Sequence, residues 1–296
     1  MNDRSETPDL SEVQGLRAYP LARRGFVMTS LITGLTLATE RVEAQAIHTE
    51  ADGLDAGETK VPVPGGFLPA YYARPAKGTK FPVILVNEEI FGVHEYIKDV
   101  CRRLARLGYL AVATEYYARI GDLSTMTDAQ QIFRDVISKE PDAQYMEDLD
   151  ATAAWADANK GDPAHMGVLG FCRGGRQVWL YAAHNPRLKA AVAFYGPVGG
   201  QPTPIQPATV LDYADKIHCP LLGLYGGADP SIPVDQVHAA EAKAKAAHKT
   251  VEIVIYPDAP HGFHADYRPS YRKEAAEDGW KRMVAWFRRY GVAPAA

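Results

Sequence analysis

At 296 residues, 47% hydrophobic and 23% charged, the chain can bury one large core or two small ones. A net charge of -4 with no block of like charge argues against a nucleic-acid surface and against a disordered charged tail. Three cysteines, Cys101, Cys172 and Cys219, are too few for a disulfide framework, and there is no internal repeat or low-complexity tract.

The first 46 residues read differently from the rest. Arg23-Arg24 precedes an apolar run, Val27 to Ala38, interrupted by Thr29, Ser30, Thr33 and Gly34. The run is too short to span a bilayer, which takes about 20 residues. Ala44-Gln45-Ala46 then offers a small-x-small cleavage site. Together these describe a twin-arginine export signal over residues 1–46. The expected location is periplasmic or secreted, with no segment left in the membrane after export. The alternative is a cytoplasmic protein whose N-terminal segment packs on the domain as an amphipathic helix. An exported protein works in an oxidising compartment, where an accessible Cys172 is open to oxidation.

Residues 47–296 read as one domain. Lys60 to Val63 and Phe67 to Arg74, joined by Pro-Gly-Gly, predict an antiparallel hairpin or meander at a sheet edge. Phe81 to Asn87 is a continuous apolar run, as expected of a strand covered on both faces. A helix follows over His94 to Leu107, ending at Gly108. Tyr109 to Thr114 predicts another buried strand. Helices are expected over Thr127 to Ser138 and Tyr145 to Asn159, with a break at Pro141. His165 to Leu169 predicts a strand and Arg176 to His184 a helix. Strands at Ala190 to Tyr195, Leu221 to Tyr225 and Val251 to Tyr256 alternate with helices at Val234 to Ala247 and Tyr271 to Tyr290. Such alternation predicts an α/β fold with a mainly parallel sheet and helices on both faces.

Between the His165 strand and the Arg176 helix stands Gly170-Phe171-Cys172-Arg173-Gly174-Gly175. A Gly-x-Cys-x-Gly turn between strand and helix has the frame of a nucleophile elbow, with cysteine where serine is usual. The glycines relieve collisions that side chains would make with strand and helix while the turning residue is held in strained backbone. The positive end of the following helix favours the thiolate, the nucleophilic form. A glycine-rich turn carrying a buried thiol would share the motif.

Two later strands end in matching chemistry. Leu221 to Tyr225 leads into Gly226-Gly227-Ala228-Asp229, and Val251 to Tyr256 leads into Pro257-Asp258-Ala259-Pro260-His261. In parallel sheets, sites gather at the carboxyl ends of strands. Nucleophile, acid, histidine is the chain order of α/β-hydrolase triads. In that chemistry Cys172 attacks an acyl carbon, His261 carries the proton, and Asp229 fixes the imidazole tautomer. His261 and His264, with Asp258 and Asp266 nearby, lie on a loop rather than a helix face, so no metal site is expected. Cys101 and Cys219 read as core residues, and Ser231 lacks the glycine frame of a nucleophile.

From about Val61 to Val292 the chain resembles the dienelactone hydrolase (carboxymethylenebutenolidase-like) family of α/β-hydrolases. The resemblance rests on Asn87-Glu88-Glu89-Ile90-Phe91-Gly92-Val93, Gly108-Tyr109-Leu110-Ala111-Val112, Tyr116-Tyr117-Ala118-Arg119, the cysteine elbow, Gly226-Gly227-Ala228-Asp229 and Pro260-His261-Gly262-Phe263. It implies a Cys172, Asp229, His261 triad and an oxyanion hole from the backbone N–H groups of Ile90 and Arg173. It also implies that Glu89 pairs with the thiol and helps deprotonate it when substrate arrives. Glu88 and Glu89 point in opposite directions if the segment is extended, so only one can face the cysteine. The family carries an arginine shortly after the histidine to grip a substrate carboxylate. Here Ala265 stands at that place; Arg268, Arg119 and Arg134 are the arginines that could substitute, and the side chain of Arg173, free of the oxyanion hole, is a further candidate to hold a carboxylate.

The expected function is hydrolysis of a lactone or small carboxylic ester by a monomer that needs no cofactor, contacts no nucleic acid and takes a small-molecule substrate. A general carboxylesterase or thioesterase would use the same triad with a different pocket. A non-enzymatic redox-sensing or binding protein would need neither Asp229 nor His261.

Overall fold

The computed structural model describes residues 47–294; the export signal expected over residues 1–46 lies outside them. One sheet runs through the described residues. Its strands are β1 (Leu54–Val63), β2 (Gly66–Pro75), β3 (Phe81–Asn87), β4 (Leu110–Thr114), β5 (Gly161–Phe171), β6 (Ala190–Phe194), β7 (Leu221–Gly226) and β8 (Val251–Tyr256). Their order across the sheet is β1-β2-β4-β3-β5-β6-β7-β8. β1 pairs with β2 and β2 with β4 antiparallel; every later pair, from β4–β3 through to β7–β8, is parallel.

The burial of each strand follows its composition. Every residue of β3 (FPVILVN), β4 (LAVAT) and β6 (AAVAF) is buried, as expected of parallel strands with helices on both faces. β1 at the edge is mostly half-exposed and carries Glu58 and Lys60, which keep an edge from recruiting another strand. The covering helices are α1 (Glu95–Arg106), α2 (Ala129–Asp135), α3 (Asp142–Ala158), α4 (Arg173–His184), α5 (Val210–Tyr213), α6 (Val234–Ala246) and α7 (Lys273–Arg289). α1 packs on β2 and β4, α4 on β5 and β6, and α7 on β6 and β7.

Most expected elements stand within a residue or two of their expected ends. The differences have local causes. The helix expected from Thr127 starts at Ala129 because the Asp128 carboxylate accepts from the Gln131 N–H at 2.8 Å and caps it there. It stops at Asp135 because Val136 leaves helical backbone, at φ -122° and ψ -66°. α4 starts three residues before Arg176: the glycine pair after the cysteine is already helical. β5 is longer than His165 to Leu169 because Gly161 and Asp162 also pair with Phe81 and Pro82. α5 was not expected; its signal is Thr209-x-x-Asp212, a capping box in which the Asp212 carboxylate accepts from the Thr209 N–H at 2.8 Å.

Candidate active site

The parallel strands bring four loops to one edge of the sheet: those after β3, β5, β7 and β8. They carry Glu89 and Ile90, Cys172, Asp229 and His261 respectively.

Cys172 is the residue between β5 and α4, at φ 52° and ψ -122°, a backbone that L-residues rarely adopt. The glycines around it make that turn possible. A Cβ on Gly170 would lie 2.3 Å from the Gly174 carbonyl oxygen, and one on Gly174 would lie 2.5 Å from the carbonyl oxygens of both Asn87 and Glu88. The elbow is therefore packed backbone to backbone against the end of β3. The Cys172 N–H donates to the Phe194 carbonyl at 3.1 Å, which pins the turn to β6. The thiol is 3% exposed.

His261 Nδ1 and Asp229 Oδ2 are 2.7 Å apart, and both side chains are buried. The other carboxylate oxygen of Asp229 accepts from the Ser231 N–H at 2.8 Å and its hydroxyl at 2.5 Å. Ser231 is thus a support for the acid rather than a nucleophile. Burial works to raise the Asp229 pKa, but His261 and the Ser231 donors outweigh it and hold the carboxyl below its ordinary range. Burial likewise works to lower the His261 pKa, and the charges of Asp229 and then Cys172 drive it well above its ordinary value. With Nδ1 facing Asp229, Nε2 is left buried and has no hydrogen-bond partner among the described residues. The Tyr195 ring, 5.2 Å away and edge-on, walls the imidazole.

The two adjacent glutamates separate as the extended segment requires. Glu88 turns away: its Oε1 accepts from the Tyr116 N–H at 3.0 Å, and burial, then the charge of Glu115, raises its pKa well above the ordinary carboxyl value. Glu89 turns toward the His261 loop. Its partner is not the thiol. Oε2 accepts from Arg268 at 2.7 Å and from the Tyr267 hydroxyl at 3.1 Å, and Oε1 is buried without a partner. Burial opposes the charge on Glu89, but Arg268 and then His94 lower its pKa to about 2. A guanidinium stabilises a buried carboxylate where a neutral thiol cannot, which is why the pairing shifts from the one the resemblance implied.

Arg268 is 3% exposed, spans the Phe91 and Tyr267 rings at 4.9 and 4.8 Å, and keeps Nε and Nη1 buried without partners. Arg119 is differently placed: Nη2 and Nε donate to the two oxygens of Asp148 at 2.9 and 3.1 Å. Arg134 is exposed and pairs with Asp135. The N–H groups of Ile90 and Arg173 donate to no other protein group among the described residues. Tyr96, Tyr195, Tyr267 and His94 are site neighbours that sequence reading did not single out; only Tyr267 had a signal, its place beside Arg268.

His264 and Asp266 are used in packing. His264 Nδ1 shares a proton with the Tyr96 hydroxyl at 2.6 Å, and burial, then the Arg103 charge, lowers its pKa to about 3, so it is neutral. Asp266 accepts from Arg103 at 2.5 Å. Cys101 and Cys219 are buried, and burial raises the pKa of Cys219 to about 12.

The model of the dienelactone hydrolase family matches residues 68–291. A Methylorubrum extorquens protein provisionally named carboxymethylenebutenolidase is 57% identical over 275 residues, covering 92% of this chain and 94% of its own. One from Escherichia coli K12 with the same provisional name is 47% identical over 264 residues, covering 89% and 97%. A crystal structure from Klebsiella pneumoniae, provisionally named a dienelactone hydrolase, superposes with a TM-score of 0.79 at 50% identity, over 80% of this chain and 99% of that one. With a mainly parallel sheet, an elbow cysteine and this match over most of its length, the chain belongs to the dienelactone hydrolase family of carboxylic ester hydrolases.

Proposed function

We propose that the protein hydrolyses a carboxylate-bearing lactone or small ester through Cys172, His261 and Asp229, by way of a covalent acyl-cysteine. The observation that carries this reading is the 2.7 Å pair between Asp229 and His261, which leaves Nε2 unpartnered beside the elbow cysteine. The Cys172 proton passes to Nε2 and the sulfur attacks the carbonyl carbon. The carbonyl π pair moves to oxygen, and the N–H groups of Ile90 and Arg173 stabilise that oxyanion. When it collapses, the C–O bond to the leaving oxygen breaks, and that oxygen takes the proton from Nε2. In a lactone the leaving group stays attached to the acyl chain. Water then gives a proton to Nε2 and its oxygen to the thioester carbon, the C–S bond breaks, and the sulfur recovers its proton. The sum is one water consumed and one ester bond opened.

Arg268 holds Glu89 at 2.7 Å, and its Nε and Nη1 are buried without partners among the described residues. The butenolide and carboxymethylene groups in the relatives' name support a lactone carrying a carboxylate. The test is acid-quenched mass spectrometry of the enzyme with a p-nitrophenyl ester. A single acyl adduct on Cys172, absent after iodoacetamide treatment, is expected; acylation elsewhere, or turnover unchanged by alkylation, overturns the reading.

A further inference from the structure

Arg173 has an unusual position for a cation. It is the first residue of α4, directly after Cys172, and is only 9% exposed. Its guanidinium makes no ion pair among the described residues, and its Nε is buried without a hydrogen-bond partner. The neighbouring Arg176 shows what a satisfied arginine looks like here: it donates to both oxygens of Asp142 at 2.6 and 2.7 Å and to the Ala208 carbonyl at 2.8 Å. No carboxylate makes an ion pair with Arg173: Asp142 bonds Arg176 and Glu89 bonds Arg268, while burial raises the pKa of Glu88 well above the ordinary carboxyl value and that of Glu140 to about 7. Burial first, and the like charge of Arg176 second, lower the Arg173 pKa, yet a guanidinium does not lose its proton at neutral pH. Leaving a buried charge unmatched is costly, so an anion supplied from outside is the physical resolution.

The surroundings supply a second donor. Tyr117, on the loop after β4, is fully buried, its hydroxyl has no partner, and it lies within range of the charges of both Arg173 and Cys172. Burial keeps that hydroxyl protonated and therefore a donor. Glu89 pairs with Arg268 and Asp142 with Arg176, while no carboxylate forms an ion pair with Arg173 among the described residues. We infer that Arg173 and Tyr117 form an anion subsite that receives the substrate's carboxylate, and that this subsite, rather than Arg268 or Arg119, sets the preference for anionic substrates. The inference rests on Cys172 being the nucleophile.

The experiment compares p-nitrophenyl hemiglutarate with its methyl ester, which differ only by the free carboxylate. The readout is the ratio of kcat/KM for the two. The parent is expected to favour the hemiglutarate. In Arg173→Met the ratio should fall by about tenfold or more, mainly through KM, as expected when one partner of a buried charged contact is removed. In Tyr117→Phe it should fall by about threefold, the scale of one hydrogen bond, and Arg173→Lys should recover part of it. An unmoved ratio in Arg173→Met, or a larger fall in Arg268→Met, overturns the inference. Should Arg173→Met not fold, labelling of Cys172 in the parent and in Tyr117→Phe gives the answer. Iodoacetate should outpace iodoacetamide in the parent, and less so in the variant; a parent in which iodoacetate is the slower reagent overturns the inference. Cys172→Ala separates the two levels. If it is inactive on both esters while the Arg173→Met ratio is unmoved, only the subsite fails; if it still turns over, the nucleophile fails as well.

Discussion

Two side chains decide the chemistry at the scale of single residues. If Cys172 is the nucleophile, as proposed, replacing it by alanine should lower turnover by several orders of magnitude, the scale of other triad deletions. Cys172→Ser should also be weak, because a hydroxyl is far less acidic than a thiol and gains less from the helix end beneath it. A serine variant that kept most of the p-nitrophenyl ester activity would show that no thiolate is involved. Glu89 is the second. Its pKa is lowered to about 2 from an ordinary 4.5 by Arg268, outweighing burial, so its contribution to stability is fully present above about pH 4.5 and is lost as pH falls toward 2. Asp229, also lowered, adds in the same direction. In Glu89→Gln, Arg268 stays buried without its counter-charge, which should cost about 3–5 kcal/mol. The variant should also lose steepness in the acid limb of a plot of unfolding free energy against pH between 4.5 and 2. An equally steep limb would mean that the pair is not coupled to folding.

At the scale of elements, the elbow depends on close backbone packing between β5, α4 and the end of β3. A Cβ at Gly174 would meet two carbonyl oxygens, of Asn87 and Glu88, at 2.5 Å. Neither can rotate away as a side-chain tip could, and both belong to the segment that carries Glu89 and Ile90. Gly174→Ala should therefore lower stability by about 1–3 kcal/mol and reduce kcat/KM together, since the strain moves Cys172 and Ile90 apart. Gly57→Ala, at a position of the edge strand β1 with open space around it, is the control and should change stability by less than about 0.5 kcal/mol. Thermal midpoints and ester turnover of the two variants decide the matter; a Gly174→Ala enzyme with parental turnover would mean the elbow tolerates displacement.

At the scale of the whole molecule, the question is whether residues 47–296 fold without residues 1–46. The first described residues are tied to α1: the Thr49 N–H donates to Asp99 at 2.5 Å, and Arg102 and Arg106 donate to the carbonyls of Thr49 and Glu50 at 2.8 and 3.0 Å. We expect a protein starting at Ile47 to fold and to keep full ester turnover. Replacing Arg23 and Arg24 together by lysine should leave the full-length chain in the cytoplasm, because the arginine pair is what the export machinery reads. Fractionation of cells producing either form checks this. Export unaffected by the double substitution would remove the twin-arginine reading, and an insoluble truncated protein would show that the segment packs on the domain.

The sequence by itself determined the parallel strands, most of their helices, and the places of Cys172, Asp229 and His261 at the ends of β5, β7 and β8. These are local facts: an apolar run of strand length, a capping residue, a glycine frame, a strand followed by a polar loop. Each is written within about ten consecutive residues, and chain order then places three loops at one sheet edge. What only the tertiary structure decided is which charges meet. Glu89 and Arg268 are 179 positions apart, and no local pattern could choose Arg268 over Arg119, which Asp148 holds from α3. Nor could it show that Arg173 makes no ion pair among the described residues while Asp142 turns to Arg176, since that depends on how distant segments pack. A charged side chain reaches several ångströms in any direction, so its partner is set by the packing of distant segments, whereas a backbone turn is set by the residues that make it.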